Sequence, residues 1–326
     1  MKKIGLAVLS LIICSGCVSK TDKKDLLPNS YGRMGSLAVV IENDLWKGKV
    51  GDVVRDIFAA EAIGLPQVEP VFSILQMPSS AFTGYTKNYR NALIIKKGEN
   101  VTFGISEDKN ASPQKLVYVI DTTEAKIIEN LKAQQKKIIE TFKENDVKES
   151  WGRFRGTPYE KSDVSETFNI DMLLTSLYET KRKEDNFMWL QKEIKEGSQN
   201  ILIYELPKGF IQYKDSAAVG EIIRMRDSIG FSFIPGRLEN THMITEEAYA
   251  PYVFDAILDN KPTIETRGTW EVKGDFMAGP FLNYIIHDDI NNRQLVLEGF
   301  VFAPSVEKRN FMLELEAILR SVRIRK

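Results

Sequence analysis

The chain has 326 residues, 43% of them hydrophobic and 10% aromatic, and a formal net charge of −1. That is ample apolar material for packed cores and, by length, for two domains. The balanced charge lacks the basic excess or stripe that marks a nucleic-acid binder.

The first predicted element is an export signal: Met1-Lys2-Lys3, then the uncharged apolar run Ile4 to Ile13. Ten residues rise only ~15 Å as a helix, about half a bilayer core, so the run is too short to span permanently. No later run is long enough either. Both cysteines, Cys14 and Cys17, end this run. A redox Cys-x-x-Cys needs a strand before it and a helix after it, and a zinc site needs ligands that a chain without a third cysteine does not offer. Cys14-Ser15-Gly16-Cys17 instead resembles the lipobox of bacterial lipoproteins, with Cys14 where leucine is usual. The resemblance implies that residues 1–16 are removed as a signal peptide. Cys17 then becomes the mature N-terminus, with thioether-linked diacylglycerol and an amide-linked acyl chain. One acyl chain at ~0.8 kcal/mol per buried CH₂ binds marginally, whereas three hold permanently. Loss of Lys2 and Lys3 takes the charge from −1 to −3. Residues 17–35 read as the lipidated N-terminus and a flexible leash. With no acidic cluster after Cys17, the expected location is the cell envelope, lipid-anchored in the outer membrane and facing the periplasm.

Residues 36–149 read as an N-terminal α+β domain. Strands are predicted at Ser36–Glu42, Val71–Gln76 and Leu116–Ile120, with a hairpin of Ala92–Ile95 and Val101–Ile105 turning at Gly98-Glu99-Asn100. A helix is predicted over Gly51–Ala62, stopped by Gly64 and Pro66, and a helical turn over Ser79–Tyr85. Asp121-Thr122-Thr123 caps a long helix from Glu124 to about Glu149. Its stripe of Ile127, Ile128, Leu131, Ile138, Ile139 and Phe142 faces a core, and its Lys, Glu and Gln residues read as a solvated face.

Residues 150–165 are dense in charge and turn formers and read as a linker. Within it Trp151, Arg153 and Arg155 have two readings: aromatics and arginines that grip a sugar or a partner, or a linker docked between the domains, the simpler of the two. Residues 166–326 read as a C-terminal α+β domain. Strands are predicted at Thr167–Leu173, Phe187–Lys192, Asn200–Leu206, Tyr252–Leu258, Thr263–Val272, Phe281–His287 and Gln294–Ala303, the last two joined by a turn at Asp289–Asn292. Asp215 caps a helix through about Asp227. Ser305 opens a final helix whose Phe311, Leu315, Ile318, Leu319 and Val322 form a stripe suited to lie across the sheet. The predicted fold is α+β: two sandwich-like domains, each a mainly antiparallel sheet packed by a long C-terminal amphipathic helix.

The segments LWKGKVGD (45–52), GLPQVEPVF (64–72), NYRNALII (88–95), NFMWL (186–190), ILIYELP (201–207), RGTWEVKGDFMAGPF (267–281) and EGFVFAPSVEKRNFMLELEAIL (298–319) resemble those of a Bacteroidota lipoprotein family, domain of unknown function 4837. The resemblance implies a tethered envelope protein and brings no activity with it. In order of elements, 166–326 is similar to the PsbP-like sandwich, a binding and assembly fold, which is an analogy of architecture.

Few residues carry chemistry. His242 and His287 stand in no metal-ligand spacing, there is no G-x-S-x-G, and Gly48-Lys49-Val50-Gly51 is too short for a phosphate loop. No metal and no cofactor are expected. In the stretch 267–281, alternation puts Arg267 on one strand face and Trp270 on the other, ahead of a loop bearing Asp275 and Phe276. Arg267, Trp270, Asp275 and Phe276 read either as the rim of a ligand cleft or, more simply, as a hairpin with Trp270 in its core. The expectation is a non-enzymatic binding or assembly module for a protein or glycan of the envelope. The alternatives are a glycan or peptidoglycan hydrolase using a carboxylate pair, or a small-ligand binder, marked by a deep apolar pocket between the domains.

Overall fold

The computed structural model describes residues 27–212 and 217–325. The signal peptide, Cys14, Cys17 and the Asp215 cap therefore lie outside the described residues.

The N-terminal half runs β1 (Ser36–Val40), α1 (Asn43–Lys47), α2 (Lys49–Phe58), β2 (Ser73–Met77), β3 (Asn91–Lys97), β4 (Thr102–Glu107), β5 (Lys115–Asp121) and α3 (Glu124–Arg155). Its sheet has the order β2-β1-β3-β5-β4. Three pairings, β1 with β2, β1 with β3 and β3 with β5, are parallel, and only β4 with β5 is antiparallel. The expectation of a mainly antiparallel sheet is corrected here, and so is the hairpin at 98–100: β5 stands between β3 and β4. The physical reason lies in β3 itself. Asn91 to Ile95 are all buried, the continuous burial of a parallel strand covered on both faces, where a hairpin strand with one wet face would alternate. On one face α2 and α3 bring Val54, Phe58, Leu131 and Phe142 against Val39, Leu93 and Val117. On the other, Ala38, Ala92 and Ile94 pack with Tyr89, Tyr31 and Phe82.

Part of the expected leash is a strap. Asn29 bridges to Ser112 and Tyr31 to Tyr89, and the Tyr31 ring stacks on Tyr85 at 4.3 Å. Thr123 caps α3 by accepting the Lys126 N–H, as its sequence suggests. The helix does not stop near Glu149: it runs through the start of the predicted linker to Arg155, and its buried face turns polar at Asn145, Asp146 and Ser150. Asp146 accepts from Gly35 N (2.9 Å), Asn91 Nδ2 (3.0 Å) and Arg90 Nη1 (3.2 Å), tying the strap's end and β3 to α3. Burial pushes this carboxyl above its ordinary range, against the lowering pull of Gly35, Arg90 and Asn91.

The C-terminal half runs α4 (Asp163–Phe168), β6 (Ile170–Asp171), β7 (Glu179–Glu184), β8 (Phe187–Ile194), β9 (Gly197–Pro207), α5 (Ala217–Phe233), β10 (His242–Thr245), β11 (Tyr252–Leu258), β12 (Lys261–Lys273), β13 (Ala278–Asp288), β14 (Arg293–Phe302), α6 (Arg309–Leu319) and β15 (Arg323–Ile324). The predicted strand at Thr167–Leu173 is replaced by α4 and the short β6. Asn169, left-handed at φ 52°, ends α4, and Ile170 and Asp171 then pair with β15. The large sheet is antiparallel, in the order β10-β12-β13-β14-β9-β8-β7, and β11 shares the β12 edge with β10. The chain as a whole is thus α+β, as expected. One sheet face packs Tyr284, Leu297 and Ile203 under Leu315, Ile318 and Leu319 of α6. The opposite face packs Leu202, Ile285 and Val296 under Ile222 and Met225 of α5.

Two polar devices fix these helices. Arg226 of α5 makes a two-pronged ion pair with Glu298 of β14 (2.7 and 2.9 Å), donates to Thr245 Oγ1 (2.6 Å) and covers the Phe281 ring at 3.4 Å. Helix α6 starts at Arg309, not at Ser305, which is held at φ 71°. Its first N–H groups are received from the other half of the molecule: Lys308 N (2.7 Å) and Arg309 N (2.9 Å) donate to the buried Glu69 carboxylate.

Candidate functional site

Between the halves lies a cleft of about 600 Å³, well inside the ~300–1,000 Å³ range of small-molecule sites. One wall is α3 at Gln135, Ile139 and Lys143, another the loop after α2 at Ile63 and Leu65, a third the sheet edge at Phe254, Glu265 and Arg267. Met312 and Leu313 of α6 complete it. The loop folds back on itself, Ala62 N donating to Glu69 O and Val71 N to Ala60 O, both at 2.8 Å. Its tip touches β12. Gly64, at φ 79°, lies so near that a Cβ there would stand 2.9 Å from Arg267 Cβ, so both the conformation and the approach require glycine.

The cleft's apolar floor is bordered by charged side chains, among them Glu61, Lys136, Glu140 and Arg309, with an ion-pair cluster at Arg267. Arg267 pairs with Glu265 (2.5 Å) and Glu316 (2.8 Å), and Arg320 joins Glu316 at 3.8 Å. Burial opposes the charge of Arg267, but Glu316 and Glu265 outweigh it and leave its pKa raised. Burial likewise works to raise Glu316, and Arg267 with Lys143 overcomes it, so that carboxyl sits below its usual range. Lys143 is different. Half-buried on α3, its ammonium makes no hydrogen bond or ion pair among the described residues, and burial lowers its pKa against the opposing pull of Glu316. The site therefore offers an apolar floor and an uncommitted cation beside a neutralised arginine. The Glu265 and Glu316 carboxylates are already engaged by Arg267, an arrangement suited to holding a ligand more than to proton transfer.

Of the residues singled out in the sequence, only Arg267 lines this cleft. Trp270 is buried on the opposite face of β12. Asp275 and Phe276 form the β12–β13 hairpin tip, where Arg237 holds Asp275 with two bonds (2.8 and 3.0 Å) and Phe276 is fully exposed. Trp151 docks between the halves, its Nε1 donating to Ala317 O at 2.7 Å. Arg153 lies over Phe154, and Arg155 is exposed at the end of α3. His242 meets Phe231 edge to face, and His287 is on β13. Among the described residues no group of His, Cys, Asp and Glu could hold a metal ion, and no helix is long and apolar enough to cross a membrane. Lys143 escapes the sequence reading because the charge of its helix face reads as solvated. The available signal was its place four residues after Ile139, on the edge of the apolar stripe.

A family model described as domain of unknown function DUF4837 matches residues 157–321, and one described as domain of unknown function DUF8532 matches residues 30–155. No curated protein matches the chain. Among solved structures, human StAR-related lipid transfer protein 5 is similar at 9% identity and a TM-score of 0.25, over 45% of this chain and 88% of that one. A STAR-related lipid transfer protein fragment from Xanthomonas axonopodis is similar at 6% identity and a TM-score of 0.22, over 44% of this chain and 96% of that one. Likeness at this level carries no functional argument.

Proposed function

Since the chain belongs to the family described as domain of unknown function DUF4837, which brings no reaction with it, we propose a role from the site: a binding module of the bacterial envelope. It is held at a membrane through Cys17, and its cleft takes a ligand with an apolar body and an acidic group. The observation that carries the reading is Lys143, half-buried at the edge of the cleft's apolar floor and without a hydrogen-bond or ion-pair partner among the described residues. An acidic headgroup would pair with that ammonium, and Ile139, Leu65 and Met312 would cover the apolar part. The lipobox-like Cys14–Cys17 supports the anchoring, in the outer membrane and facing the periplasm.

The cleft is tested with the full chain in detergent, a fluorescent fatty acid and the corresponding alcohol. The acid is expected to bind more tightly, and Lys143→Gln to weaken it about tenfold, or about 1.4 kcal/mol, with the alcohol unaffected. Raising the pH removes the ammonium, so affinity for the acid should fall at a lower pH than the ~10.4 of an ordinary lysine. Equal binding of acid and alcohol would remove Lys143 from the reading, and binding of neither would remove the cleft. The anchor is tested separately by cell fractionation: Cys17→Ala is expected to move the chain from the membrane to the soluble fraction, and an unchanged distribution would contradict it.

A further inference from the structure

We propose that a second pocket, on the α5 face of the large sheet, is a saccharide site for a neutral or amine-bearing sugar. It has a volume of about 310 Å³ and is lined by Trp189, Gln191, Glu193, Trp270 and Phe302, with Met277 at the hairpin. It shares no lining residue with the cleft, so the inference stands independently of that reading.

Strand β8 places Trp189, Gln191 and Glu193 at alternate positions, hence in a row on one face, opposite Leu202, Asn200 and Ser198 of β9. The first of the three is fixed. Trp189 Nε1 donates to Asn200 Oδ1 at 2.9 Å, and Asn200 Nδ2 donates to Ser198 Oγ at 3.0 Å, so this amide is occupied in holding the indole. The next two are free: neither the Gln191 nor the Glu193 side chain has a hydrogen-bond or ion-pair partner among the described residues. The Trp270 Nε1 also has no acceptor among the described residues, but it is buried against Gly279, so the ring contributes a wall and not a donor.

A sugar ring needs this combination. Its C–H face is apolar and stacks on a held aromatic ring, while its hydroxyls require donors and acceptors close beside that ring. Gln191 supplies both, and Glu193 accepts. An acyl chain would cover the rings but make no use of Gln191 and Glu193, and an acidic ligand would meet the Glu193 carboxylate. The volume suits a short saccharide, not a long chain.

The test uses the full chain with cellobiose and N,N′-diacetylchitobiose as probes and palmitate as competitor, followed by isothermal titration calorimetry. At least one disaccharide is expected to bind. Gln191→Ala, which disturbs no core contact, and Trp189→Ala should each raise Kd tenfold or more, Trp189→Phe should retain part of the affinity, and Lys143→Gln should leave it unchanged. Binding of neither disaccharide, full affinity in both alanine variants, or displacement by palmitate that persists in Lys143→Gln would overturn the proposal.

Discussion

Arg226→Met is expected to lower stability by about 3–5 kcal/mol, the usual result of stranding one member of a buried ion pair. Both side chains are 1% exposed. With the guanidinium gone, Glu298 retains among the described residues only the Asn283 Nδ2 donor at 2.8 Å, and its burial keeps solvent from replacing the lost bonds. The loss of the ring contact with Phe281 adds to the penalty. At roughly 2–4 °C per kcal/mol for a body of this size, melting should fall by about 6–20 °C in thermal unfolding. The double variant Arg226→Met, Glu298→Leu removes the stranded charge as well and should recover most of the loss. A double variant as unstable as the single one would show that the penalty arises from packing instead.

Glu69→Ala is expected to act at the joint between the halves. The carboxylate accepts two N–H bonds at the start of α6, each charge-assisted and worth about 1.5–3 kcal/mol, and it sits where the helix dipole favours a negative charge. Its neighbour Arg309 crosses the same joint, donating to Pro70 O (2.6 Å) and Ser73 Oγ (3.1 Å). Removing Glu69 leaves buried donors without an acceptor and frees the 61–70 loop that walls the cleft. A loss of about 3 kcal/mol is expected, with calorimetric unfolding divided into two transitions as the halves uncouple. Glu69→Gln, which keeps one acceptor oxygen, should fall between. A single transition at the original temperature in Glu69→Ala would contradict this account.

Much of the fold is legible in the sequence where local chemistry decides it. The Thr123 cap, the α3 stripe, the β13–β14 turn with Asn292 at φ 52° and the inward Trp270 all follow from residue type and spacing. What escapes is set by distant partners. The strand order β3-β5-β4 depends on which edge β5 finds, and turn residues at 98–100 say nothing of that. Helix α6 begins at Arg309 because Glu69, 239 residues earlier than Lys308, receives its N-terminus, whereas Ser305 looks like the better local cap. The cleft was legible only through Arg267. Glu316 lies between Leu315 and Ala317 in an apolar helix, and Lys143 in a run of charge, so neither shows from its neighbours that tertiary packing brings it to the site.

The strap at residues 29–35 also sets a limit on travel. With Cys17 as the anchor proposed above, no more than about 43 Å of chain would separate the lipid from Asn29, at ~3.3–3.6 Å per residue. On that proposal the body would sweep only a shallow cap of space above the bilayer. Its root at Tyr31 is on the sheet face opposite α3, so the helix that walls the cleft stands on the far side of the sheet from the point of attachment. A ligand arriving there meets the side turned away from the mooring.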